Sequence, residues 1–317
     1  MMARTLFSAL GLATLFAFTA AQAQSPQQVN ILTNWFAQPD QGGLWQAQHD
    51  SAQSALRVSV RQGGPRIQTI PQVTAGQAHF GLANADDILL ARQKGVPVKA
   101  VFASLDHVPY TLVYHPTPGV QGIKDLDGRR FAVSLGAGYW EWIKKRYQIK
   151  PEREIPVSGD LTLFRNDPGL VQQGLYLFLP ARMQAADIAV QQLKVADLGY
   201  RPYSVVFTTD TVIREQPELV KATVAALQAG WQGFLERPDT IKPDLLALNQ
   251  QLDAQVYDAA VAQLRDGLVA PAQQPIGCMS AARWQELDGQ LKELGLLDSG
   301  FDPSQAYDLS ASGACPS

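Results

Sequence analysis

Apolar and polar positions alternate along this chain with two periods, one typical of strands and one typical of helices. Short apolar runs and strict alternation predict strands at residues 29–32, 56–61, 80–83, 96–103, 110–114, 131–133 and 204–208. Helices are predicted between them, at residues 44–55, 67–75 and 85–95, and a further helix begins at residue 136. After residue 208 the chain reads as helical, with apolar residues three and four apart at Val220, Val224, Leu227, Trp231 and Phe234. Strands and helices in succession predict an α/β fold with crossover connections.

A proline-rich break at residues 115–119 predicts a domain boundary. The strand at residues 204–208 returns the chain to the first unit. We therefore predict two lobes, each a mixed sheet flanked by helices. Residues 24–114 and 204–317 form one lobe, and residues 115–203 form an inserted lobe. The two crossing segments make a hinge, about which the lobes close on a ligand.

The N-terminus has the pattern of a secretory signal peptide. Arg4 supplies a positive n-region, residues 6–18 an apolar core, and Ala21-Gln22-Ala23 a small-x-small cleavage signal. The apolar segment is too short to span a bilayer comfortably. No cysteine follows the cleavage site, so no lipid anchor is expected. We expect cleavage after Ala23 and export, which for a bacterial chain of this kind means the periplasm.

Bulk properties exclude several functional classes. The 317 residues are enough for two domains, and 46% hydrophobic with 17% charged residues is typical of a globular protein in water. The net charge of −3 does not favour nucleic acid or an anionic membrane as a partner. No zinc-ligand spacing occurs and no nucleophile motif accompanies the four histidines. We predict no metal, no cofactor and no catalysis.

Two cysteines, Cys278 and Cys315, remain in a chain expected to be exported. A lone pair in that compartment indicates a disulfide, which here would fix the C-terminal tail. The competing interpretation is two free, buried thiols.

The end of the first predicted strand is the main candidate for a binding site. Asn34, Trp35 and Phe36 follow the strand, and Pro39 and Asp40 then form a turn before the next helix. Open α/β sheets bind ligands at such strand ends. The alternative is that Trp35 and Phe36 belong to the core, where aromatic residues are also common.

Several short motifs resemble those of periplasmic solute-binding proteins of ABC importers. The group that binds the pyrimidine precursor of thiamine (hydroxymethylpyrimidine) and its relatives is the most similar. The motifs are Asn34-Trp35-Phe36, Gly76-Gln77-Ala78-His79-Phe80-Gly81, Asp86-Asp87, Ile123-x-Asp125-Leu126-x-Gly128, Gln172-Gln173-Gly174 and Pro217-Glu218-Leu219-Val220.

The resemblance implies a type II two-lobed binding protein, a monomer, that delivers a small molecule to a membrane permease. It also implies that the Asn34-Trp35-Phe36 loop lines the ligand cleft. One position departs from the pattern: Leu179 stands before Pro180, where relatives carry an acidic residue. The ligand of this chain need not be that of its relatives.

Further candidates for ligand contact lie on helix starts and in the inserted lobe. Asp86 and Asp87 begin a helix, where one of them caps the helix and the other is left to accept hydrogen bonds from a heterocycle. Gly138 opens a helix with Tyr139 and Trp140, two adjacent aromatics of which one should face the cleft.

Four more side chains have two interpretations each. Tyr176 and Phe178 alternate in a run predicted to be extended, so they share one face, which is either core or cleft. Tyr203 lies in the hinge and is either structural or a ligand contact. Arg182 is either a surface residue or a partner for an anionic group.

The leading hypothesis is therefore a receptor for a small nitrogen-containing aromatic. Trp35 with Tyr139 or Trp140 would stack on the ring, and Asp86 or Asp87 would orient it. The alternatives are an alkylsulfonate or other organic anion bound with Arg182, an enzyme, and a ligand-sensing domain.

Overall fold

The computed structural model describes residues 26–64, 66–158, 160–271, 274–312 and 315. The predicted signal peptide lies outside these residues. Within them the chain forms two five-stranded sheets flanked by helices. This is the α/β architecture of two lobes that the sequence predicts. Among the described residues, no helix combines the length and the apolar character needed to cross a membrane.

The first sheet is built from two separate parts of the chain. Its strands are β1 (Gln27–Leu32), β2 (Leu56–Arg61), β3 (Phe80–Asn84), β4 (Val98–Leu105) and β10 (Ser204–Thr209), in the spatial order β2-β1-β3-β10-β4. Strand β1 runs parallel to β2 and β3, whereas β10 runs antiparallel to β3 and β4. Because β10 lies between β3 and β4, the returning chain completes the centre of this sheet.

The second sheet contains a strand that the sequence assigned to the first lobe. Its strands are β5 (Tyr110–Tyr114), β6 (Arg130–Val133), β7 (Arg153–Pro156), β8 (Leu170–Leu175) and β9 (Gln191–Lys194), in the order β7-β6-β8-β5-β9. Strand β5 pairs antiparallel with β8 and β9. The first crossing segment therefore precedes β5 at residues 106–109, and not the proline-rich break at 115–119. That break is a connection within the second lobe.

Helices cover both sheets. Those of the first lobe are α1 (Gly42–Asp50), α2 (Thr69–Thr74), α3 (Ala85–Gln93), α7 (Asp210–Glu215), α8 (Pro217–Glu236), α9 (Lys242–Leu248), α10 (Ala254–Gln263) and α11 (Ala281–Glu293). Those of the second are α4 (Gly138–Tyr147), α5 (Thr162–Asn166) and α6 (Leu179–Ala185). The predicted apolar face of α8 is buried, which confirms its orientation.

Helix α1 packs closely against α8 through a glycine. A Cβ atom added at Gly230 would lie 2.3 Å from the carbonyl oxygen of Gly43 and 2.7 Å from the Cβ of Ala47. Trp231 and Phe234 in turn lie against Gly43 and Gly42. The start of α1 is therefore fixed from behind by large buried side chains of α8.

One arginine of α11 contacts both crossing segments. Arg283 donates to the Asp106 carboxylate, to the Asp106 carbonyl oxygen at 2.6 Å and to the Arg201 carbonyl oxygen at 2.7 Å. Its guanidinium also lies 3.9 Å from the centre of the Tyr203 ring. Burial alone would raise the pKa of Asp106, but the His107 hydrogen bond and the charges of Arg283 and Arg201 lower this pKa to about 2. The hinge is therefore held by a charged cluster.

Cys278 and Cys315 form a disulfide with a Cα–Cα distance of 5.0 Å. Next to it, the amide of Cys315 donates to the carbonyl oxygen of Met279 at 3.2 Å, and Gly277 bridges to Ala103 of β4. The C-terminal tail is thereby attached beside the first sheet.

The run after β8 is not extended as predicted. Strand β8 ends at Leu175, residues 176–178 form a turn, and Leu179 begins α6 with Pro180 in its first turn. The carbonyl oxygen of Leu175 accepts from the amide of Phe178 at 3.0 Å. Because of this turn, Tyr176 and Phe178 point into different surroundings.

Candidate functional site

A cleft of about 320 Å³ lies between the two lobes. It opens where strands of the first sheet end and where β8 leads into α6. The first lobe contributes Asn34, Trp35, Gln38, Asp40 and Asn84. The second contributes Tyr110, Ser134, Gln173, Phe178, Leu179 and Arg182. The wall thus combines aromatic, amide and hydroxyl groups with one carboxylate and one guanidinium, a mixture typical of small-molecule sites.

Backbone hydrogen bonds hold the loop after β1 in place. The carbonyl oxygen of Trp35 accepts from the Thr33 hydroxyl at 2.7 Å and from the Gly63 amide at 3.0 Å. The Trp35 side chain remains 42% exposed, although it is large and apolar. Its ring meets Phe36 edge-on, with 5.6 Å between ring centres, and Phe36 itself lies over Gly64 rather than in the cleft wall. Trp35 is therefore an available stacking surface.

Asp40 is the carboxylate of the cleft wall. It lies in the 3₁₀ turn Pro39–Gln41, directly before α1. Its Oδ1 atom is shielded from solvent and has no hydrogen-bond partner among the described residues. Burial raises the pKa of Asp40 to about 7. The sequence marked Asp40 only as a turn residue, because its lack of a partner depends on distant parts of the chain.

Across the cleft, Gln173 of β8 has a fixed orientation. Its Oε1 accepts from the Ser134 amide at 2.6 Å and from the Tyr139 hydroxyl at 2.5 Å. The amide nitrogen of Gln173 is then left as a donor at the wall. Gln173 belongs to a motif that the sequence shares with the family, but the motif alone predicted no role for its side chain.

Two stacked tyrosines form part of this wall and its support. The ring of Tyr110 stacks on the ring of Tyr139 with 4.7 Å between centres. The Tyr110 hydroxyl accepts from the Asn84 side chain at 3.2 Å. Tyr110 lines the cleft and Tyr139, which is 1% exposed, supports it. Tyr139 therefore shapes the wall from behind, whereas the sequence predicted direct contact.

The paired acids lie outside this wall. Asp87 caps α3 by accepting from the Asn84 amide at 3.4 Å. Asp86 is buried, and burial raises its pKa. The Asp86 carboxylate also accepts from the Tyr200 hydroxyl at 2.9 Å, which partly opposes this rise. A Cβ atom added at Gly138 would lie 2.7 Å from that hydroxyl. Asp86, Tyr200 and Gly138 thus form a contact between the lobes.

Three predicted aromatics also lie elsewhere. Trp140 is fully buried with its ring 4.6 Å from that of Phe131. Tyr203 is buried beneath Arg283 in the hinge. Tyr176 lines a separate, more polar cavity of about 710 Å³ beside the hinge. These three side chains, predicted as ligand contacts, therefore do not line the cleft.

The separate cavity is the weaker candidate, because several of its charged side chains already contact protein groups. Asp106 is bound by His107 and Arg201, each at 2.9 Å. The Nζ atom of Lys194 lies 4.4 Å from the centre of the Tyr176 ring. These contacts explain the cavity as part of the hinge.

Similar curated proteins differ in what they are named for. One is a 4-amino-5-hydroxymethyl-2-methylpyrimidine phosphate synthase of Legionella pneumophila, 21% identical over 90% of this chain and 93% of that protein. Another is the riboflavin-binding protein RibY of Chloroflexus aurantiacus, 23% identical over 74% of this chain and 70% of that protein.

Solved structures share the fold. The periplasmic aliphatic sulphonate binding protein SsuA of Escherichia coli superposes with a TM-score of 0.67 at 15% identity, covering 89% of this chain and 92% of that one. The alkanesulfonate-binding SsuA of Xanthomonas axonopodis pv. citri, bound to MOPS, gives 0.63 at 16% identity, covering 90% and 99%. The fold is that of periplasmic binding proteins.

The family resemblance read from the motifs is confirmed by a family model. The model described as "NMT1/THI5 like" matches residues 52–241, which is more than half of the chain. The match begins just after α1, continues through the second lobe and α8, and ends directly before α9. The chain belongs to the NMT1/THI5-like family.

Proposed function

We propose that this protein is the extracytoplasmic substrate-binding component of an ABC importer. The family, the two-lobed fold and the inter-lobe cleft support this function. So do the relatives named as binding proteins. On this proposal the chain is exported to the periplasm as a monomer, is cleaved after Ala23, and delivers its ligand to a membrane permease.

The ligand that we propose is a small nitrogen-containing aromatic, such as the pyrimidine precursor of thiamine. The exposed Trp35 ring is the observation that carries this proposal. Tyr110 offers a second aromatic surface, and the amide of Gln173 offers a donor for a ring nitrogen. Stacking between aromatic rings contributes roughly 1 kcal/mol beyond the area that it buries.

An alkylsulfonate or another organic anion is the alternative ligand. The names of the SsuA neighbours and the position of Arg182 in the cleft wall favour it. Among the cleft-lining residues that the structure describes, however, Arg182 is the only cation, and the same wall contains the Asp40 carboxyl group. A sulfonate site would need more donors than this wall offers.

An enzymatic role is the second class of function, since one relative is named a synthase. No histidine or cysteine lines the cleft in the part of the chain that the structure describes. His79 accepts from the Asn30 amide at 3.1 Å, and His115 contacts the Phe164 carbonyl oxygen at 2.8 Å. These histidines therefore have structural roles, and we propose binding without chemistry.

A ligand panel tests the proposal. Mature protein should be titrated calorimetrically with 4-amino-5-hydroxymethyl-2-methylpyrimidine, riboflavin, an alkanesulfonate and an amino acid. We expect binding of an aromatic heterocycle, and the variant Trp35→Ala should weaken it roughly tenfold. The control variant Leu163→Ala removes an equally exposed apolar side chain from α5, outside the cleft, and should leave affinity unchanged. Binding of the sulfonate alone would contradict the aromatic part of the proposal.

A further inference from the structure

We propose that Asp40 is the specificity-determining residue of the cleft and accepts a hydrogen bond from an amino group on the ligand's ring. This inference rests on the proposed function and names the ligand chemistry within it. It predicts that the protein distinguishes amino-substituted rings from rings that carry a carbonyl oxygen at the same position.

The backbone around Asp40 is held rigidly. The Gln41 amide donates to the Gln38 carbonyl oxygen at 3.0 Å, which closes the 3₁₀ turn. Immediately after this turn, Gly42 and Gly43 lie so close to Phe234 and Trp231 that an added Cβ atom would overlap either ring. The turn therefore cannot move away from the cleft without unpacking α1 from α8. A carboxylate on such a support has a defined position, as a recognition group requires.

No described side chain is a partner for this carboxylate, and the interaction with its own backbone amide only partly offsets the rise in its pKa that burial causes. None of the described lysine, arginine or histidine side chains forms an ion pair with Asp40, and its Oδ1 atom has no hydrogen bond from a described group. Other acids with little exposure are paired: Asp106 contacts Arg201, Arg283 and the His107 ring, and Asp167 accepts from Arg130 at 2.5 Å. Because an unpaired carboxylate in a protein wall is costly, a donor from the ligand would be stabilising there.

The rest of the wall fits an amino-substituted heterocycle. Asp40 accepts hydrogen bonds, whereas the amide nitrogen of Gln173 on the other lobe donates them. An amino group beside an unprotonated ring nitrogen offers the complementary pair, a donor next to an acceptor. Above pH 7, where Asp40 is ionised, replacing that amino group by a carbonyl oxygen would place two acceptors against each other at Asp40. Such a mismatch gives strong discrimination, because it leaves buried polar groups unpaired.

Two probes and two variants test the inference. Mature protein is titrated at pH 8.5, where Asp40 is ionised, with 4-amino-5-hydroxymethyl-2-methylpyrimidine and with its 4-oxo analogue, which is matched in size. The wild type should prefer the amino ring by at least roughly tenfold. Asp40→Asn, which adds a donor, should reduce or reverse this preference. Asp50→Asn changes an exposed carboxylate at the other end of α1 and should retain it.

Each outcome of these titrations supports or contradicts the role of Asp40. Equal affinities of the wild type for both rings would overturn the role of Asp40 while leaving the proposed function intact, and this result needs no variant to fold. An unchanged preference in Asp40→Asn, with a native circular dichroism spectrum, would do the same. If the wild type bound neither ring but did bind another member of the ligand panel, the aromatic proposal and this inference would both fail.

Discussion

The properties of four aspartates in this protein depend on the groups that surround each carboxylate. Asp86, Asp87, Asp106 and Asp40 are all acids of the first lobe or the hinge, yet only Asp40 lacks a hydrogen bond from a described side chain or a neighbouring residue. Asp86 accepts from a tyrosine across the lobes, and Asp106 contacts two arginines and a histidine. The residue type therefore says less about function than what surrounds it.

The raised pKa of Asp40 predicts a pH-dependent stability. The folded pKa of about 7 exceeds the ordinary value of 3.8, so the folded protein holds a proton between these pH values that the unfolded chain releases. This contribution to stability is present at low pH and is lost as pH rises through 7. Ligand-free Asp40→Asn should therefore exceed the wild type in stability by about 4 kcal/mol at pH 8, with the gain disappearing near pH 4.

Thermal denaturation of both proteins at several pH values measures this difference. A stability difference that stays constant from pH 4 to pH 8 would show that Asp40 titrates normally in the fold.

At the scale of elements, the contact between α1 and α8 determines how firmly the cleft is supported. The loop with Trp35 and the turn with Asp40 both precede α1, and α1 is held by the glycine contact with α8. The helical period predicted the buried face of α8 correctly, since that face depends on local spacing. The partner of this face is a long-range contact that no local spacing shows.

Gly230→Ala should destabilise the protein by about 1–3 kcal/mol, because the new methyl group overlaps the Gly43 carbonyl oxygen. The matched control is Gly289→Ala in α11, where nothing lies within 4 Å of an added Cβ atom. Higher helix propensity should stabilise that variant by about 0.5–1 kcal/mol. Chemical denaturation measures both changes, and equal effects of the two substitutions would contradict this account of the packing.

For the whole molecule, the relation between the lobes depends on the two crossing segments. Arg283 joins them through Asp106 and Arg201, and the buried Asp86–Tyr200 hydrogen bond adds a second contact between the lobes. The second lobe is joined to the first only through these two segments of the chain. A substitution that removes contacts of this cluster should therefore change both the closure of the lobes and the stability of the fold.

Arg283→Lys should lower the free energy of unfolding by about 1–3 kcal/mol, since a lysine cannot contact the Asp106 carboxylate and both carbonyl oxygens together. Arg214→Lys is the control, because Arg214 forms an exposed ion pair with Glu215, and such pairs contribute little. Thermal denaturation measures stability, and small-angle scattering measures the separation of the lobes. Equal losses in both variants would contradict a special role for Arg283.

Periodicity and short motifs in the sequence determined the secondary structure of most of the chain, the two-lobed α/β class, the family and the position of Trp35 at a strand end, whereas the exposure of the Trp35 ring came from the tertiary structure. These depend on local spacing, which fixes the faces of strands and helices. Tertiary structure alone decided that Tyr110–Tyr114 joins the second sheet, since strand pairing is a long-range choice. It also placed Tyr139 behind Tyr110, Trp140 in the core and Tyr176 by the hinge. Asp40 gained its significance in the same way, because only the assembled fold leaves a carboxylate in the cleft wall without a partner.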